Sequence, residues 1–466
     1  MNSNLALIVC SLFMLGTAAL FGRLRWSRID VVDLHVLMVS VFFGGYTLVD
    51  ALVKDLSTVN SGSAVLSLLL VMVTVGATWL ISRILPIKLR RTLQMRYLLA
   101  QWLHVDGRIV LLLLGALLVF QLYSYQHFGV LAASDVAGNR NFLYSPVPDL
   151  PYWFTSAMAL LTPLYFCLFI AGTLKVLASR AGKRVFWIIV LVTVVALVAL
   201  WGRREVFYLM YIFFVLWSIT KTRNLISPMN GFLLLIALPP LVAFSNIYLT
   251  YRSMLIGLHV TPDKLGVSGI LSAATNLDTT LWNLQERIGM WQLNYMIIDK
   301  QIHYYALDIP YGDILWQGFK NTIPHILWPE KIVLDVDALM AYQYMLPLRD
   351  YPTNNFAMMQ ADFGYLSVIL LPLQLLFVFF SAALLIQASR RHLTLLWLLS
   401  GYIIHYLLTI EADYSEWFVL YRNILTVTIV YLAAYWLFCP LSRVRLHKRR
   451  RLIVRGQAVE TRRQRT

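Results

Sequence analysis

Residues 185–220 read VFWIIVLVTVVALVALWGRREVFYLMYIFFVLWSIT. Two uncharged apolar runs, 185–201 and 206–220, flank Gly202-Arg203-Arg204-Glu205. Roughly 17 to 25 apolar residues in helical form cross the hydrocarbon core of a bilayer. In lipid each backbone N–H and C=O must find its partner within the protein, so such runs are read as helices. A spanning strand would alternate apolar and polar positions, and no such alternation is present. The stretch therefore predicts a helical hairpin whose turn sets two arginines at one membrane face.

The same pattern extends in both directions. Eleven segments are long enough to cross: 5–21, 31–52, 64–85, 109–125, 154–177, 185–201, 206–220, 231–250, 365–387, 393–410 and 417–438. With 59% hydrophobic and 13% charged residues the chain lies far from the average soluble domain. The fold class is all-α, a polytopic integral membrane protein. Met1 to Asn4 carries no Lys or Arg and the polar stop after Phe21 is basic. We therefore expect no cleavable leader and a first helix that enters with its N-terminus outside. Cys10, Cys167 and Cys439 fall inside apolar runs, which supports neither a disulfide framework nor a zinc site.

Charge sorts the loops. Of the 39 Lys and Arg, 27 lie in alternate loops and in the tail from Arg443 to Arg465. With Asp30, Asp33, Asp106 and Glu460 that face carries +23 and the other −7, consistent with the +16 of the whole chain. Lys and Arg mark the cytoplasmic side, so the N-terminus is placed outside and the C-terminus inside. The basic tail is read as a partner for anionic lipid headgroups, and no nucleic-acid partner is expected. On the outer face stand Arg140, Arg203, Arg204, Arg252, Arg287, Arg349 and Arg422, against the usual rule.

No internal repeat is visible. The organisation reads as an N-terminal bundle of about eight helices (1–250), a large outer loop (251–364), three C-terminal helices (365–440) and a basic tail (441–466). Within the large loop Leu277, Leu281, Leu284, Ile288, Trp291, Tyr295 and Ile298 recur at spacings of three and four, which makes one helix face apolar. That face lies on the membrane surface or packs on the bundle. Pro163 and Pro239-Pro240 interrupt two spans and predict kinks.

Gly202-Arg203-Arg204-Glu205 forms the whole turn between the sixth and seventh segments, Arg252 follows the eighth, and Arg422 lies inside the eleventh. Placing an arginine in a helix at bilayer depth costs about 2.5–3.5 kcal/mol on insertion scales. One charge-assisted hydrogen bond returns roughly 1.5–3 kcal/mol. Either an ion pair, such as Arg422 with Glu411 or Glu416, or a multivalent phosphate balances that cost. Arginine suits the phosphate because its fork is planar and permanently charged. Candidates for a general base on the outer face are His259, His303, His325, Glu411, Asp413 and Glu416, while His405 is an ionisable group within a span. Asp335-Val336-Asp337 has D-x-D spacing, but without accompanying His or Cys it does not make a metal site. No phosphate-binding glycine loop or nucleophile elbow is present.

Three stretches resemble the Wzy-type oligosaccharide repeat-unit polymerases of bacterial surface polysaccharides such as O-antigen. They are Gly202-Arg203-Arg204 between two helices, Ile323-Pro324-His325-Ile326-Leu327-Trp328-Pro329 late in the large loop, and Glu411-Ala412-Asp413 before an arginine-bearing last helix. The hydropathy profile covers the whole chain and the motif-like parts about a tenth of it. Where the family carries an arginine beside the acid matching Glu411, this chain has Ile410. The resemblance implies a GT-C-like membrane glycosyltransferase of the bacterial inner membrane, with its large loop in the periplasm. It would transfer a glycan from undecaprenyl pyrophosphate to a second lipid-linked repeat unit. Arg203, Arg204, Arg252 and Arg422 would hold pyrophosphate, His325, Glu411 and Asp413 would act in catalysis, and Arg287, Arg349 and Trp328 would touch substrate. It further implies donor and acceptor lipids as partners, a chain-length-regulating co-polymerase beside them, and neither cofactor nor metal. The chemistry is coherent, because pyrophosphate is already a competent leaving group and needs only charge stabilisation and one base. Two other readings share the features: a ligase that uses the same donor, and a flippase for an anionic lipid-linked glycan.

Overall fold

The structure is a computed structural model. It describes residues 3–22, 29–53, 56, 59–84, 86–128, 151–178, 183–201, 203–221, 290–303, 309–323, 327–328, 330, 336–346, 354–409 and 416–437. Among them the chain is helical throughout, and the only strand-like pairing is an isolated bridge between Asp30 and Gln94. The helices are α1 (Ser3–Gly22), α2 (Val31–Val53), α3 (Ser61–Ser82), α4 (Ile87–Thr92), α5 (Met95–Leu103), α6 (Gly107–Phe128), α7 (Tyr152–Ala178), α8 (Lys183–Trp201) and α9 (Arg203–Lys221). After the large loop begins they continue as α10 (Met290–His303), α11 (Asp313–Thr322), α12 (Val336–Gln343), α13 (Asn355–Phe363), α14 (Ser367–Ala388) and α15 (Leu393–Leu408). The last is α16 (Glu416–Leu437).

Six of the apolar stretches are long enough to cross a membrane: Val31–Leu52, Ser61–Ser82, Gly107–Phe128, Leu160–Ala178, Asn355–Arg391 and Glu416–Leu437. Shorter apolar helices occupy Asn4–Leu20, Arg184–Ala196, Tyr211–Thr220 and Leu393–Leu407. The expected segment at 231–250, with Pro239-Pro240, lies outside the described residues. Pro163 sits within α7, and Pro372 within α14.

Helix starts follow from local chemistry. Asn60 caps α3, its Oδ1 accepting from Gly62 N at 3.0 Å and Ser63 N at 3.4 Å. Asp30 and Asp33 cap α2 reciprocally, each carboxylate accepting the other's backbone N–H at 3.0 Å, the logic of a capping box. Side chains too small to hold helices apart decide two of the contacts. Gly44 of α2 faces Ser11 O and Met14 of α1, and Gly401 of α15 faces Cys167 of α7 so closely that a Cβ would overlap Sγ. Small residues allow such approach where no hydrophobic force drives helices together.

The segment between α3 and α6 departs from the expected polar loop. It forms the helix pair α4–α5, which is inserted into the bundle. Leu89, Leu93, Met95, Leu98, Leu99 and Trp102 are buried. Val31 N donates to Leu93 O at 3.1 Å and Met95 N to Ile29 O at 3.1 Å. Trp102 Nε1 donates to Ser400 Oγ of α15 at 2.7 Å. The start of α2 therefore rests on α4–α5. This is why Asp30 and Asp33 are buried, with side chains 2% and 3% exposed. Arg83 pairs with both, at 2.9 Å to Asp30, and Arg90 Nε reaches Asp30 at 3.2 Å. Trp79 Nε1 donates to Asp33 at 3.0 Å and its ring lies 4.7 Å from the Arg83 guanidinium.

Two boundaries shift. The turn expected at 202–205 shrinks, because α8 ends at Trp201 and α9 starts at Arg203. The large loop, expected to run to 364, ends earlier: α13 is buried from Asn355 to Asp362 and leads through the turn at Gly364–Leu366 into α14. Gly364 takes φ +56, and a Cβ there would meet Ile309 Cδ1 at 2.8 Å. The chain divides into two units, Met1–Leu420 and Tyr421–Thr466.

Candidate functional site

Arg203 and Arg204 are the first two residues of α9. They belong to the first helical turn, not to a loop as the sequence suggested, and backbone N–H groups at a helix start favour anions. Their side chains lie outside the described residues, as do Arg252, Arg287, Arg349, His259, His325, Glu411, Asp413 and Asp335. Trp328 is exposed. Asp337 stands in the first turn of α12. Among the described residues no three His, Cys, Asp or Glu side chains group as metal ligands do. Arg422 is half-buried in the second unit, its Nε 3.5 Å from Asn423 Oδ1. Of the four expected pyrophosphate ligands only the Arg422 side chain is among the described residues.

They do define a polar platform built on α10. The apolar face foreseen at Trp291, Tyr295 and Ile298 packs on the bundle: Trp291 and Ile298 are buried and Tyr295 is half-buried. The remainder of that stripe, Leu277 to Ile288, lies outside the described residues. Asp50, buried near the end of α2, accepts from Trp291 Nε1 at 2.8 Å and Gln292 Nε2 at 3.0 Å. A side chain accepting from two donors fixes one end of α10.

The other end carries a histidine in a defined state. Both Gly62 N and Ser63 N donate to Asn60 Oδ1, so the side-chain amide has only its NH₂ left to present. Asn60 Nδ2 lies 3.3 Å from His303 Nε2. That nitrogen must then accept, which leaves the ring proton on Nδ1. Nδ1 in turn lies 3.0 Å from Asp299 O and 3.3 Å from Asp299 Oδ1, both acceptors. Ser63 Oγ donates to Asp299 Oδ1 at 2.8 Å, and Asn60 N donates to Tyr295 OH at 3.2 Å. His303, 47% exposed, is thus held at both ring nitrogens, its Nε2 lone pair engaged by Asn60 and its Nδ1 by Asp299.

Behind this surface lies a second network. Gln301 Nε2 donates to Tyr344 OH at 2.8 Å and Gln360 O at 2.9 Å, Gln360 Nε2 to Gln301 Oε1 at 2.7 Å, and Ser367 Oγ to Gln360 Oε1 at 2.6 Å. Burial pushes the Tyr344 hydroxyl up to about 12, so it acts as a donor, to Ala361 O at 2.6 Å. A narrow cleft beside it is lined by Ser67, Thr74, Asn294, Gln360 and Ser367 together with apolar side chains. Asn294 Oδ1 is buried without a partner among the described residues. Asp362 accepts from Gly312, Ile314 and Leu315 N at 2.9, 3.2 and 2.9 Å, tying the start of α11 to α13. Gly312 takes φ +111 to allow it.

Sequence reasoning listed His303 among the base candidates but passed over Asp50, Asn60 and Asp299. Two signals were available. Asp299 and His303 are four apart and share a helix face, and Asn60 directly precedes an apolar run as an N-cap does. Comparison with family models, with curated proteins and with solved structures gives no match.

Proposed function

We propose that this protein is a membrane glycosyltransferase that polymerises undecaprenyl-pyrophosphate-linked oligosaccharide repeat units into a surface polysaccharide, at the periplasmic face of the bacterial inner membrane. The observation that supports it best is the placement of Arg203 and Arg204 in the first turn of α9, one residue after α8 ends. Two permanent cations in the first turn of a helix, where the helix dipole is positive, favour a doubly charged phosphate. Arg252 and Arg422 complete the assignment, with Arg287, Arg349 and Trp328 on the glycan.

In this reading the acceptor hydroxyl oxygen attacks the anomeric carbon of the donor glycan. The bond from that carbon to the pyrophosphate oxygen breaks, and the electron pair leaves with undecaprenyl pyrophosphate. The arginines stabilise the charge that grows there, so no general acid is needed. The hydroxyl proton passes to one base, for which His325, Glu411 and Asp413 are assigned.

Reconstitution with purified lipid-linked repeat unit tests the proposal, read as a ladder of chain lengths. Arg203→Ala or Arg204→Ala should lower polymerisation roughly 100- to 1,000-fold, the usual effect of deleting one donor to a developing anion. Lysine at either position should rescue only in part, because the fork is lost. A normal ladder with Arg203, Arg204, Arg252 and Arg422 all replaced by alanine removes the pyrophosphate assignment. Transfer to a lipid A core in place of chain growth identifies a ligase. Movement of the substrate across the bilayer without a new glycosidic bond identifies a transporter.

A further inference from the structure

The cations around the start of α2 fall into two classes. Arg83 and Arg90 are engaged by Asp30 and Asp33. Lys88, Arg91, Arg96, Arg390 and Arg391 are exposed and make no ion pair among the described residues. They are neighbours. Lys88 and Arg91 are three apart on α4, so they share a face. Arg96 stands in the first turn of α5, and the Arg390 guanidinium lies 5.4 Å from the ring of the adjacent Tyr97. The acids of this region are already committed: Asp30 and Asp33 to the arginine pair, and Asp106 to the backbone N–H of Arg108 at 3.0 Å.

Beside these cations the surface is apolar. Ile84 is 80% exposed and Ile87 is 72% exposed. Large aliphatic side chains next to unpaired cations, on short helices whose opposite face is buried, are the mark of a segment at the membrane interface. The isoleucines reach the acyl chains while the cations stand at headgroup height. Exposed cations left without acids attract the anions of a lipid surface.

We propose that α4–α5 is a docking surface for anionic phospholipid, its headgroup phosphate held by Lys88, Arg91 and Arg96 with Arg390 and Arg391 beside them. Bound lipid supplies the anions that the committed acids of this region do not. The inference does not depend on the glycan reading and fails separately from it.

The test uses the full-length protein in micelles doped with equal phosphatidylglycerol and phosphatidylcholine, with retained lipid counted by native mass spectrometry. Each cation near an anionic headgroup contributes about fivefold, so the wild type should prefer phosphatidylglycerol at least tenfold. With Lys88→Gln, Arg91→Gln and Arg96→Gln combined, the preference should fall to about twofold or less. Swapping the cations, Lys88→Arg, Arg91→Lys and Arg96→Lys, should preserve it. So should Arg449→Gln, Arg450→Gln and Arg451→Gln in the basic tail. Should the glutamine variant fail to fold, amine labelling of Lys88 in the wild type decides: phosphatidylglycerol must protect it and phosphatidylcholine must not. An unchanged preference in the glutamine variant overturns the proposal, as does its loss in the tail variant. Displacement of the lipid by inorganic phosphate overturns it too, since the surface would then be a site for the free anion.

Discussion

Asn60 serves two structures with one amide. Its oxygen caps α3 and its nitrogen fixes the tautomer of His303. The two roles separate by substitution. Asn60→Asp keeps acceptor oxygens for Gly62 and Ser63 N–H, so the cap survives. It also sets a carboxylate against Nε2, which must then carry a proton to donate and can no longer accept one. Asn60→Ala removes the cap as well, at about 0.5–2 kcal/mol. We expect the aspartate variant to melt near the wild type and the alanine variant to melt lower, as read by thermal unfolding. The reasoning runs at single-atom level and could not have been completed from sequence. Asn60 and His303 are far apart in the chain, and only the fold sets the amide against the ring.

At the scale of elements the legible and the illegible divide by length and charge. Runs near twenty apolar residues announced α2, α3, α6, α7 and α14 almost to their ends, because in lipid nothing else satisfies such a backbone. The pair α4–α5 was read as a loop. Its helices are short, and among the arginines that made it look solvated Arg90 finds its acid in Asp30, sixty residues upstream. The α13 helix was missed for a related reason: the polar residues that lower its hydropathy, Gln360 and Asp362, meet their hydrogen-bond partners on α10, α11 and α14. Two tests follow. Arg83→Ala leaves Asp30 and Asp33 buried with one cation between them, and stranding a buried charge costs about 3–5 kcal/mol. Restoring much of the lost melting temperature by adding Asp33→Asn would show that the stranded charge, not lost packing, is the cause. Gly401→Ala places a methyl group against Cys167 Sγ, and overpacking of this kind costs about 1–3 kcal/mol. Adding Cys167→Ala should recover part of that loss. If the two effects simply add, the contact between α7 and α15 is not where the strain arises.

Across the whole molecule, the disposition of charge implies a parity that can be measured. The eleven crossings expected from the sequence would place the two termini on opposite faces, and the bias of 27 among 39 cations predicts a cytoplasmic C-terminus. Ten apolar helical stretches are described, six of them long enough to cross alone. The segment at 231–250 decides whether the count is odd. Were it not to cross, every loop after it would change face. The large loop would then stand on the side of α4–α5, against the bonds that hold α10 to Asp50 and Asn60 at the opposite ends of α2 and α3, and Arg203 would be separated from the large loop by the membrane. Reporter fusions distinguish the cases. A fluorescent protein that matures only in the cytoplasm, fused after Thr466, should be bright. Alkaline phosphatase, active only in the periplasm, should be active when fused after Lys54 or after Lys300 and inactive after Arg391. An inactive fusion at Lys300 beside an active one at Lys54 would mean an odd number of crossings between them. The large loop and the outer arginines would then lie on different faces, and a shared pyrophosphate site for Arg203, Arg204 and Arg252 would be geometrically impossible.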